Sequence, residues 1–260
     1  YVYNCLPTDP TDFGNTSFTL YQKSYLGYGL KQARQATNSL TAFTHLFAHA
    51  EAANVGRESG APLPWEKLSP GNTHIPSPCY AMGMSKEVEL AHTNRETVAK
   101  VTMTGTAGGF EACQRLVEVM LDKDAECHLA PCSFAGHYQP SMSATLKDAS
   151  IIALSYFYDR IAPLDLGDTF ALGDLEKLAH RVCSPPSTWE SMAFSPSALK
   201  ELQTRPEYCL DLTFMHTLLR LGYELDNSRK ITLAKKIGNF ELGWALGAEL
   251  AVLSQGVHCK

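Results

Sequence analysis

Two short segments of the chain carry groups that could bind a metal ion or a phosphate. His45 and His49 stand four residues apart in a helical pattern, a spacing at which two imidazoles can share a metal ion. Leu46 occupies the position at which the zinc-protease motif has a glutamate, so we expect no metal role for this pair. The run Gly105–Gly109 opens a helical pattern, where backbone N–H groups can bind phosphate. It lacks the Lys-Ser/Thr pair and the third spaced glycine of the phosphate motifs, so we interpret it as a glycine turn.

A third segment, Asp165–Thr169, reads Asp-Leu-Gly-Asp-Thr and resembles the phosphate-binding hairpin of actin-like ATPases. That hairpin needs a strand that runs directly into it, whereas Pro163 interrupts the approach here. We therefore expect a loop whose acidic residues cap a helix.

The strongest candidate binding segment joins aromatic rings to charged groups. Residues 149–158 are mostly apolar and predict a buried strand, which ends at Tyr156, Tyr158, Asp159 and Arg160. Ligands of α/β sheets bind at the carboxyl ends of strands, and a nucleobase can stack on aromatic rings and on a guanidinium. An aromatic core strand capped by an Asp–Arg ion pair explains the same residues, and the sequence leaves both interpretations open.

Composition and charge exclude several classes of protein. The 260 residues are 45% hydrophobic and 19% charged, which is typical of a globular protein and excludes disordered, collagen-like and coiled-coil chains. The net charge is −5 without a block of Lys and Arg, so we expect no nucleic-acid partner and no polybasic membrane patch. No apolar run is long enough to cross a bilayer, and no signal peptide or initiator Met precedes Tyr1. We expect a piece of a longer protein.

Eight cysteines in a chain of this size favour an oxidising compartment. Cys127 and Cys132 could close a small loop around a proline, and Cys183 and Cys209 bracket a Pro/Ser-rich insertion. No Cys-x-x-Cys pair indicates a structural zinc site. Asn15 begins a glycosylation sequon, which agrees with disulfides in a lumen or outside the cell. Buried free thiols in a cytosolic protein are the alternative.

The remaining pattern predicts strands that alternate with helices, hence an α/β class in one domain. Neither a Ser-His-Asp arrangement nor paired carboxylates at a diagnostic spacing appears, so no catalytic residue is assigned. Strands are predicted at 17–21, 149–158 and 230–233, with one or two more in 87–103. Helices are predicted at 29–53, 110–122, 172–182, 208–221 and 241–254, and a long surface loop at 56–78.

Six segments, in order along nearly the whole chain, resemble one family. They are Leu20–Gly29, Cys132–Gly136, Ser155–Arg160, Leu172–Leu175, Tyr208–Thr213 and Lys236–Ala248. The last is the most specific, because its Trp244-Ala-Leu-Gly247 box is the fifth conserved region of the apyrase superfamily of nucleoside phosphatases. The chain is identified as a member of that superfamily, closest to its guanosine/uridine diphosphatase branch, with residues 50–78 the least similar.

The resemblance implies hydrolysis of a nucleoside diphosphate, GDP or UDP, to the monophosphate and phosphate with a divalent cation (Ca, Mg or Mn). The family fold is two actin-like (ribonuclease H-like) lobes, each a mixed, mostly parallel sheet with flanking helices. Residues 1–260 match only the second, C-terminal lobe. The two glycine-rich phosphate loops, most metal ligands and the glutamate that acts as general base are therefore expected upstream of residue 1.

The resemblance also implies roles for individual residues. Nucleoside contacts are expected from the Ser155–Arg160 segment and from one arginine further along the chain: Tyr156, Tyr158, Asp159, Arg160 and Arg205. Trp244 and Gly247 are expected to close or support the site. Leu30 replaces a charged base contact of the triphosphatase branch.

Three disulfides follow from the same resemblance. Gly27 replaces a family cysteine, which implies that Cys79 pairs with Cys113, as in the diphosphatase branch. Cys127–Cys132 and Cys183–Cys209 match family bridges. Cys5 and Cys259 stay unassigned, with a terminal pair as one option.

The implied location is the secretory pathway, in the Golgi lumen, with the cell exterior as the alternative. The expected partners are the nucleoside diphosphate and the upstream lobe of the same protein, and a membrane anchor would lie only upstream. Two other functions stay open: a secreted nucleotide-binding lobe without turnover, and an apyrase that also cleaves triphosphates.

Overall fold

A computed structural model describes residues 2–5, 18–21, 23–52, 73–92, 95–145, 147, 149–237 and 240–241. The strands are β1 (Val2–Cys5), β2 (Phe18–Tyr21), β3 (His74–Ser77), β4 (Ser85–His92), β5 (Arg95–Gly105), β6 (Ile151–Ala153), β7 (Thr169–Ala171), β8 (Lys230–Leu233), β9 (Lys236–Ile237) and β10 (Phe240–Glu241). The α-helices are α1 (Leu30–Ala52), α2 (Gly109–Leu121), α3 (Met142–Thr145), α4 (Tyr156–Ile161), α5 (Leu172–Cys183), α6 (Pro196–Thr204) and α7 (Tyr208–Thr217).

The chain divides into two compact units, residues 1–28 with 235–260, and residues 29–234. In the first unit, β1 pairs antiparallel with β2, and β9 pairs antiparallel with β10. The predicted strand at 17–21 is confirmed by β2. The predicted helix at 241–254 lies outside the described residues except for Glu241, which belongs to β10. Asn15, Trp244, Gly247 and Cys259 lie outside the described residues as well.

The larger unit contains two three-stranded sheets, in the orders β3-β5-β4 and β6-β8-β7. In each sheet the central strand has one parallel and one antiparallel neighbour. The α/β class is therefore confirmed, while a mostly parallel sheet is not: the described pairs are mixed. The strands expected in 87–103 and at 230–233 are confirmed by β4, β5 and β8.

Strand β3 lies inside the segment 56–78 that was expected to be a surface loop. Ile75 and Ser77 are buried in alternation, which fixes one face of this strand against the core. Pro76 is tolerated because β3 is an edge strand, where a missing backbone N–H costs least. The prolines of this segment thus obscured a real strand, and the loop prediction is wrong over its last residues.

The prediction of a buried strand through residue 158 is also wrong. Strand β6 ends at Ala153, and α4 begins at Tyr156. Ser155 has φ 56°, a left-handed conformation that ends the strand before the aromatic residues. Ile152 is 45% exposed, so β6 is not a buried strand either. A short aromatic run fits a strand and a helix equally well, which is why periodicity misassigned it.

Helix α7 is the centre of the larger unit. All ten of its residues are buried, and it packs against α1, α2, α4 and α5. A helix that is covered on every side belongs to a core, and its continuation is a π-helical turn, Leu218–Gly222. The predicted helices at 29–53, 110–122, 172–182 and 208–221 are confirmed by α1, α2, α5 and α7 with this turn.

The Pro/Ser-rich insertion between α5 and α7 contains unexpected regular structure. A 3₁₀-helix, Pro186–Met192, is followed by α6, whose first turn is capped by Ser195. The Ser195 hydroxyl oxygen accepts a hydrogen bond from the N–H of Ala198 at 3.2 Å. The Asp165–Thr169 segment begins as the expected loop, and Asp165 accepts a hydrogen bond from the N–H of Ser195 at 2.9 Å. The end of this segment begins β7, which was not predicted.

All three expected disulfides are confirmed. Cys79–Cys113 joins the segment after β3 to α2, and Cys127–Cys132 closes a short loop. Cys183–Cys209 joins the end of α5 to the start of α7. The option of a Cys5–Cys259 pair stays a prediction. Among the described residues, no helix is both long and apolar enough to span a membrane.

The Cys183–Cys209 bridge gives a first prediction for stability. Because it closes the longer loop, replacing both cysteines by Ala should cost about 3.5 kcal/mol of unfolding free energy, against about 2 kcal/mol for the Cys127/Cys132 pair. Urea unfolding of both double variants, each compared with the unaltered chain, measures the difference. Equal losses, or a larger loss for the short loop, would contradict the assignment of this stabilisation to loop closure.

Candidate functional site

Two of the predicted nucleoside-binding residues meet at one side of α7. The Cζ atom of Arg160, from α4, lies 5.6 Å from the ring centroid of Tyr208. The Tyr208 hydroxyl donates a hydrogen bond to Oε1 of Glu201 at 2.8 Å. Arg205, at the end of α6, places its Nε 3.0 Å from the same Glu201 oxygen. The structure therefore connects Arg160 and Arg205 through Tyr208 and Glu201.

One turn further along α7, Asp211 binds two arginines. Arg34, from α1, donates from Nε to Oδ1 at 2.6 Å and from Nη2 to Oδ2 at 2.5 Å. Arg160 places its Nε 3.3 Å from Oδ2. The Asp211 side chain is 0% exposed, while those of Arg34 and Arg160 are 25% and 16% exposed. A bidentate Arg–carboxylate pair is the geometry that best offsets the desolvation of a buried carboxylate.

Glu207, just before α7, extends this arrangement to the sheet. Its Oε1 accepts a hydrogen bond from Nζ of Lys86, on β4, at 2.6 Å, and Nη2 of Arg34 lies 3.9 Å from the same oxygen. We call these five residues the α7 ion-pair network: Arg34, Lys86, Arg160, Glu207 and Asp211. With all groups ionised, three cations face two anions, so the network carries one excess positive charge.

Burial and charge act in opposite directions on the two carboxyls of the network. Burial raises the pKa of Asp211, and the guanidiniums of Arg34 and Arg160 oppose that shift. Burial alone would raise the pKa of Glu207 too. There, however, the hydrogen bond from Lys86 and the charges of Lys86 and Arg34 hold the pKa below its ordinary value. Burial, reinforced by Glu201, raises the pKa of Tyr208, which keeps its hydroxyl a proton donor.

Arg160 has donors that the described residues leave unused. Its Nε and Nη1 are buried and make no hydrogen bond within that part of the chain, since the approach to Asp211 is an ion pair without hydrogen-bond geometry. Buried donors in folded proteins are nearly always paired with protein groups, ordered water or a ligand, so these two donors need a partner beyond the described residues. The alternative of an ion pair between Asp159 and Arg160 is not what the structure shows, because Arg160 pairs with Asp211.

The other predicted residues of the segment share α4 but join none of these contacts. Tyr156 is half-buried and its ring stacks on Phe157, with centroids 4.7 Å apart at an angle of 28°. Burial raises the pKa of Tyr156. Tyr158 is half-buried and Asp159 is exposed. A nucleobase contact from these three residues stays a prediction.

The glycine turn and His45 border two clefts elsewhere in the larger unit. A cleft of about 370 Å³ is lined by Gly108, Gly109 and His180, among others, and one of about 330 Å³ by His45. Neither is lined by a predicted nucleoside-binding residue. Gly105 is required by packing, because a Cβ there would lie 2.0 Å from the carbonyl oxygen of Ala81.

The described residues contain no group of three His, Cys, Asp or Glu side chains placed to hold a metal ion.

Sequence reasoning missed four members of the network: Arg34, Lys86, Glu207 and Asp211. One local signal existed for Asp211, because a lone acid within the mostly apolar run Tyr208–Met215 predicts a buried, paired charge. Its partner Arg34 lies 177 residues away along the chain. No local pattern could connect the two.

Comparisons with known proteins place the chain in a family. The sequence model of the GDA1/CD39 (nucleoside phosphatase) family matches residues 8–258. A probable guanosine-diphosphatase of Aspergillus fumigatus is 43% identical over 255 residues, which are 95% of this chain and 48% of that protein. The guanosine-diphosphatase of Schizosaccharomyces pombe is 38% identical over 96% of this chain and 43% of its own length. Ectonucleoside triphosphate diphosphohydrolase 5 of Gallus gallus is 28% identical over 95% and 48%. The chain thus spans less than half the length of these relatives.

The Lys86–Glu207 pair gives a prediction for pH dependence. Because the folded-state pKa of Glu207 is lowered, its contribution to stability is present above its unfolded pKa of about 4.3 and is lost as the pH falls through the folded value. Lys86→Met should therefore cost about 0.5–1 kcal/mol of unfolding free energy at pH 7. At pH 3 the cost should be smaller, as measured by urea unfolding at both values.

Lys100→Met is the matched control, since Lys100 pairs with Glu89 at 3.6 Å on the exposed face of the same sheet. Its loss should be at most a few tenths of a kcal/mol at either pH. A loss for Lys86→Met that is unchanged between pH 7 and pH 3 would show that the lysine stabilises by packing alone.

Proposed function

The chain belongs to the GDA1/CD39 (nucleoside phosphatase) family, and from that premise we propose that it forms the nucleoside-binding lobe of a nucleoside diphosphatase. The enzyme hydrolyses GDP and UDP to the monophosphate and inorganic phosphate. The observation that carries this proposal is Arg160: it lies in a segment that the family resemblance assigns to the nucleoside, and it holds unused buried donors. The excess positive charge of the α7 ion-pair network favours an anionic ligand there.

Diphosphates are the preferred substrate class because the identities to the two guanosine-diphosphatases, 43% and 38%, exceed the 28% to the ectonucleoside enzyme. The nucleoside would contact Tyr156, Tyr158, Asp159, Arg160 and Arg205. Rings that are half-buried, such as Tyr156 and Tyr158, keep one face for stacking, and a guanidinium stacks on a base or donates to it. Trp244 and Gly247 would support the closing wall.

The bond-breaking groups of the proposed enzyme lie on a first lobe outside residues 1–260. There a glutamate would take a proton from water, which attacks the terminal phosphorus in line with the departing monophosphate oxygen. Glycine-rich loops would stabilise the charge on the transferring phosphoryl group. The present chain binds and orients the nucleoside, and its fold is then an actin-like lobe.

A divalent cation, Ca, Mg or Mn, belongs to this proposal, with ligands mainly outside the present chain. It would neutralise charge on the phosphates. The described residues do not fit a metal centre of their own, since no three potential ligands meet among them. We therefore derive no step of this lobe through the cation.

The proposed location is the secretory pathway, in the Golgi lumen, or alternatively the cell exterior. Three disulfides support an oxidising compartment. Asn15 would be open to glycosylation in such a compartment.

The test joins residues 1–260 to the N-terminal half of the Aspergillus fumigatus relative and measures phosphate release. We expect release from GDP and UDP by the joined protein, less from ATP, and none from the 260-residue chain alone. Nucleotide binding without phosphate release by the joined protein would favour a binding lobe without turnover. Equal rates with ATP would favour an apyrase, and enzyme-like turnover by the chain alone would contradict the division between lobes.

Arg160→Ala in the joined protein gives the corresponding residue-level prediction. Loss of hydrogen bonds from a charged donor should raise the KM for GDP about 10- to 100-fold. Arg115→Ala is the matched control, because Arg115 is an exposed arginine on α2, a helix that contributes nothing to the network. A KM that is equal in both variants would remove Arg160 from the site.

A further inference from the structure

Asp211 is in contact with two guanidiniums, although one of them already occupies both of its carboxylate oxygens. Arg34 already satisfies both carboxylate oxygens in a bidentate pair, at 2.6 and 2.5 Å. Arg160 nevertheless approaches Oδ2 to 3.3 Å. The second contact helps to oppose the burial-raised pKa of Asp211, and it also restrains the guanidinium of Arg160.

The two contacts of Arg160 on α7 restrain its guanidinium from two directions. The Nε atom faces Asp211, and Cζ lies over the ring of Tyr208, three residues earlier on the same helix. Residues three apart lie on one side of a helix, so both contacts come from a single rigid surface. Tyr208 is itself held, because its hydroxyl donates to Glu201.

This restraint leaves donors of Arg160 unused. The ion pair engages Nε, while the buried Nη1 makes no hydrogen bond within the described part of the chain. The side chain is 16% exposed, so part of it reaches solvent, although Nε and Nη1 themselves are buried. A guanidinium that is held on one side and unsatisfied on the other is preorganised, which lowers the entropy cost of binding.

We propose that Asp211 is a positioning residue, which orients Arg160 for nucleotide binding without touching the nucleotide itself. The inference rests on the proposed nucleoside-binding role of Arg160. Arg34 contributes to this arrangement. Its charge allows Asp211 to stay ionised while buried, so Asp211 can also pair with the guanidinium of Arg160.

The first test measures the order of Arg160 directly and needs no nucleotide. In the 260-residue chain, ¹⁵N relaxation of the Arg160 Nε–H group, assigned by its absence in Arg160→Lys, should give a rigid order parameter of about 0.85. In Asp211→Asn it should fall below about 0.6. An order parameter that is unchanged by Asp211→Asn would overturn the inference.

The second test is a double-mutant cycle on GDP affinity, measured by calorimetric titration of residues 1–260 joined to the N-terminal half of the Aspergillus fumigatus relative. Asp211→Asn should weaken GDP binding about tenfold in the unaltered background, a loss typical of a charged hydrogen bond that is no longer preorganised. In the Arg160→Ala background it should cause no further loss, because Asp211 acts through Arg160. An equal loss in both backgrounds would overturn the inference, since it would show that Asp211 only supports the fold.

A control separates positioning from general destabilisation of α7. Thr217→Val removes a buried hydroxyl that donates to the carbonyl of Thr213 on the same helix, away from Arg160. It should lower the Tm and leave GDP affinity within twofold of the unaltered joined protein, because the variant does not touch Arg160. If Thr217→Val weakens GDP binding as much as Asp211→Asn, the inference fails.

Asp211→Asn leaves Arg160 without its carboxylate partner and Arg34 with Glu207 alone, at 3.9 Å, and can prevent folding. Arg34→Met combined with Asp211→Asn removes the buried pair together, so the same two measurements can be made on a folded protein. If this variant keeps the order of Arg160, the inference is overturned. If the joined protein fails to bind GDP while the order of Arg160 still depends on Asp211, the proposed function fails and the positioning role stands.

Discussion

The larger unit of this protein is organised around a carboxylate that is buried in an apolar helix. Asp211 lies at the centre of the core, where an ionised group is tolerated only if cations are brought to it. Arg34 and Arg160 come from α1 and α4, and Glu207 draws Lys86 from β4 in the same way. Because the three cations come from α1, α4 and β4, their pairing with Asp211 and Glu207 fixes these three elements against α7. The residues proposed to bind a nucleoside are attached to this framework.

Family membership and local geometry support different parts of the functional argument. The match over residues 8–258 shows the family to which the chain belongs, and the proposed reaction starts from that membership. It does not say how any side chain is supported. The contacts around Tyr208 and Asp211 show how the side chains are supported. Through them, Arg160 and Arg205 are connected although they come from separate helices.

Much of the fold was predictable because its helices carry a clear apolar period. Helix α2, for example, buries Phe110, Cys113 and Val117 at helical spacing. The strand β3 was missed because Pro76 looks like a loop residue until its edge position is known. Helix α4 was predicted as a strand because its aromatic residues fit both structures. The network itself was beyond sequence reasoning, since its contacts join residues that are far apart in the chain and whose pairing depends on the tertiary fold.

The Cys183–Cys209 bridge lies at the residue next to Tyr208, so the helix that carries Tyr208 and Asp211 is covalently anchored at its first turn. That anchor forms only where thiols are oxidised. Oxidation of this pair would therefore be the step that fixes the first turn of α7 in the folded chain. In protein made in a reducing cytosol, α7 would carry Tyr208 and Asp211 but would lack the disulfide at its first turn.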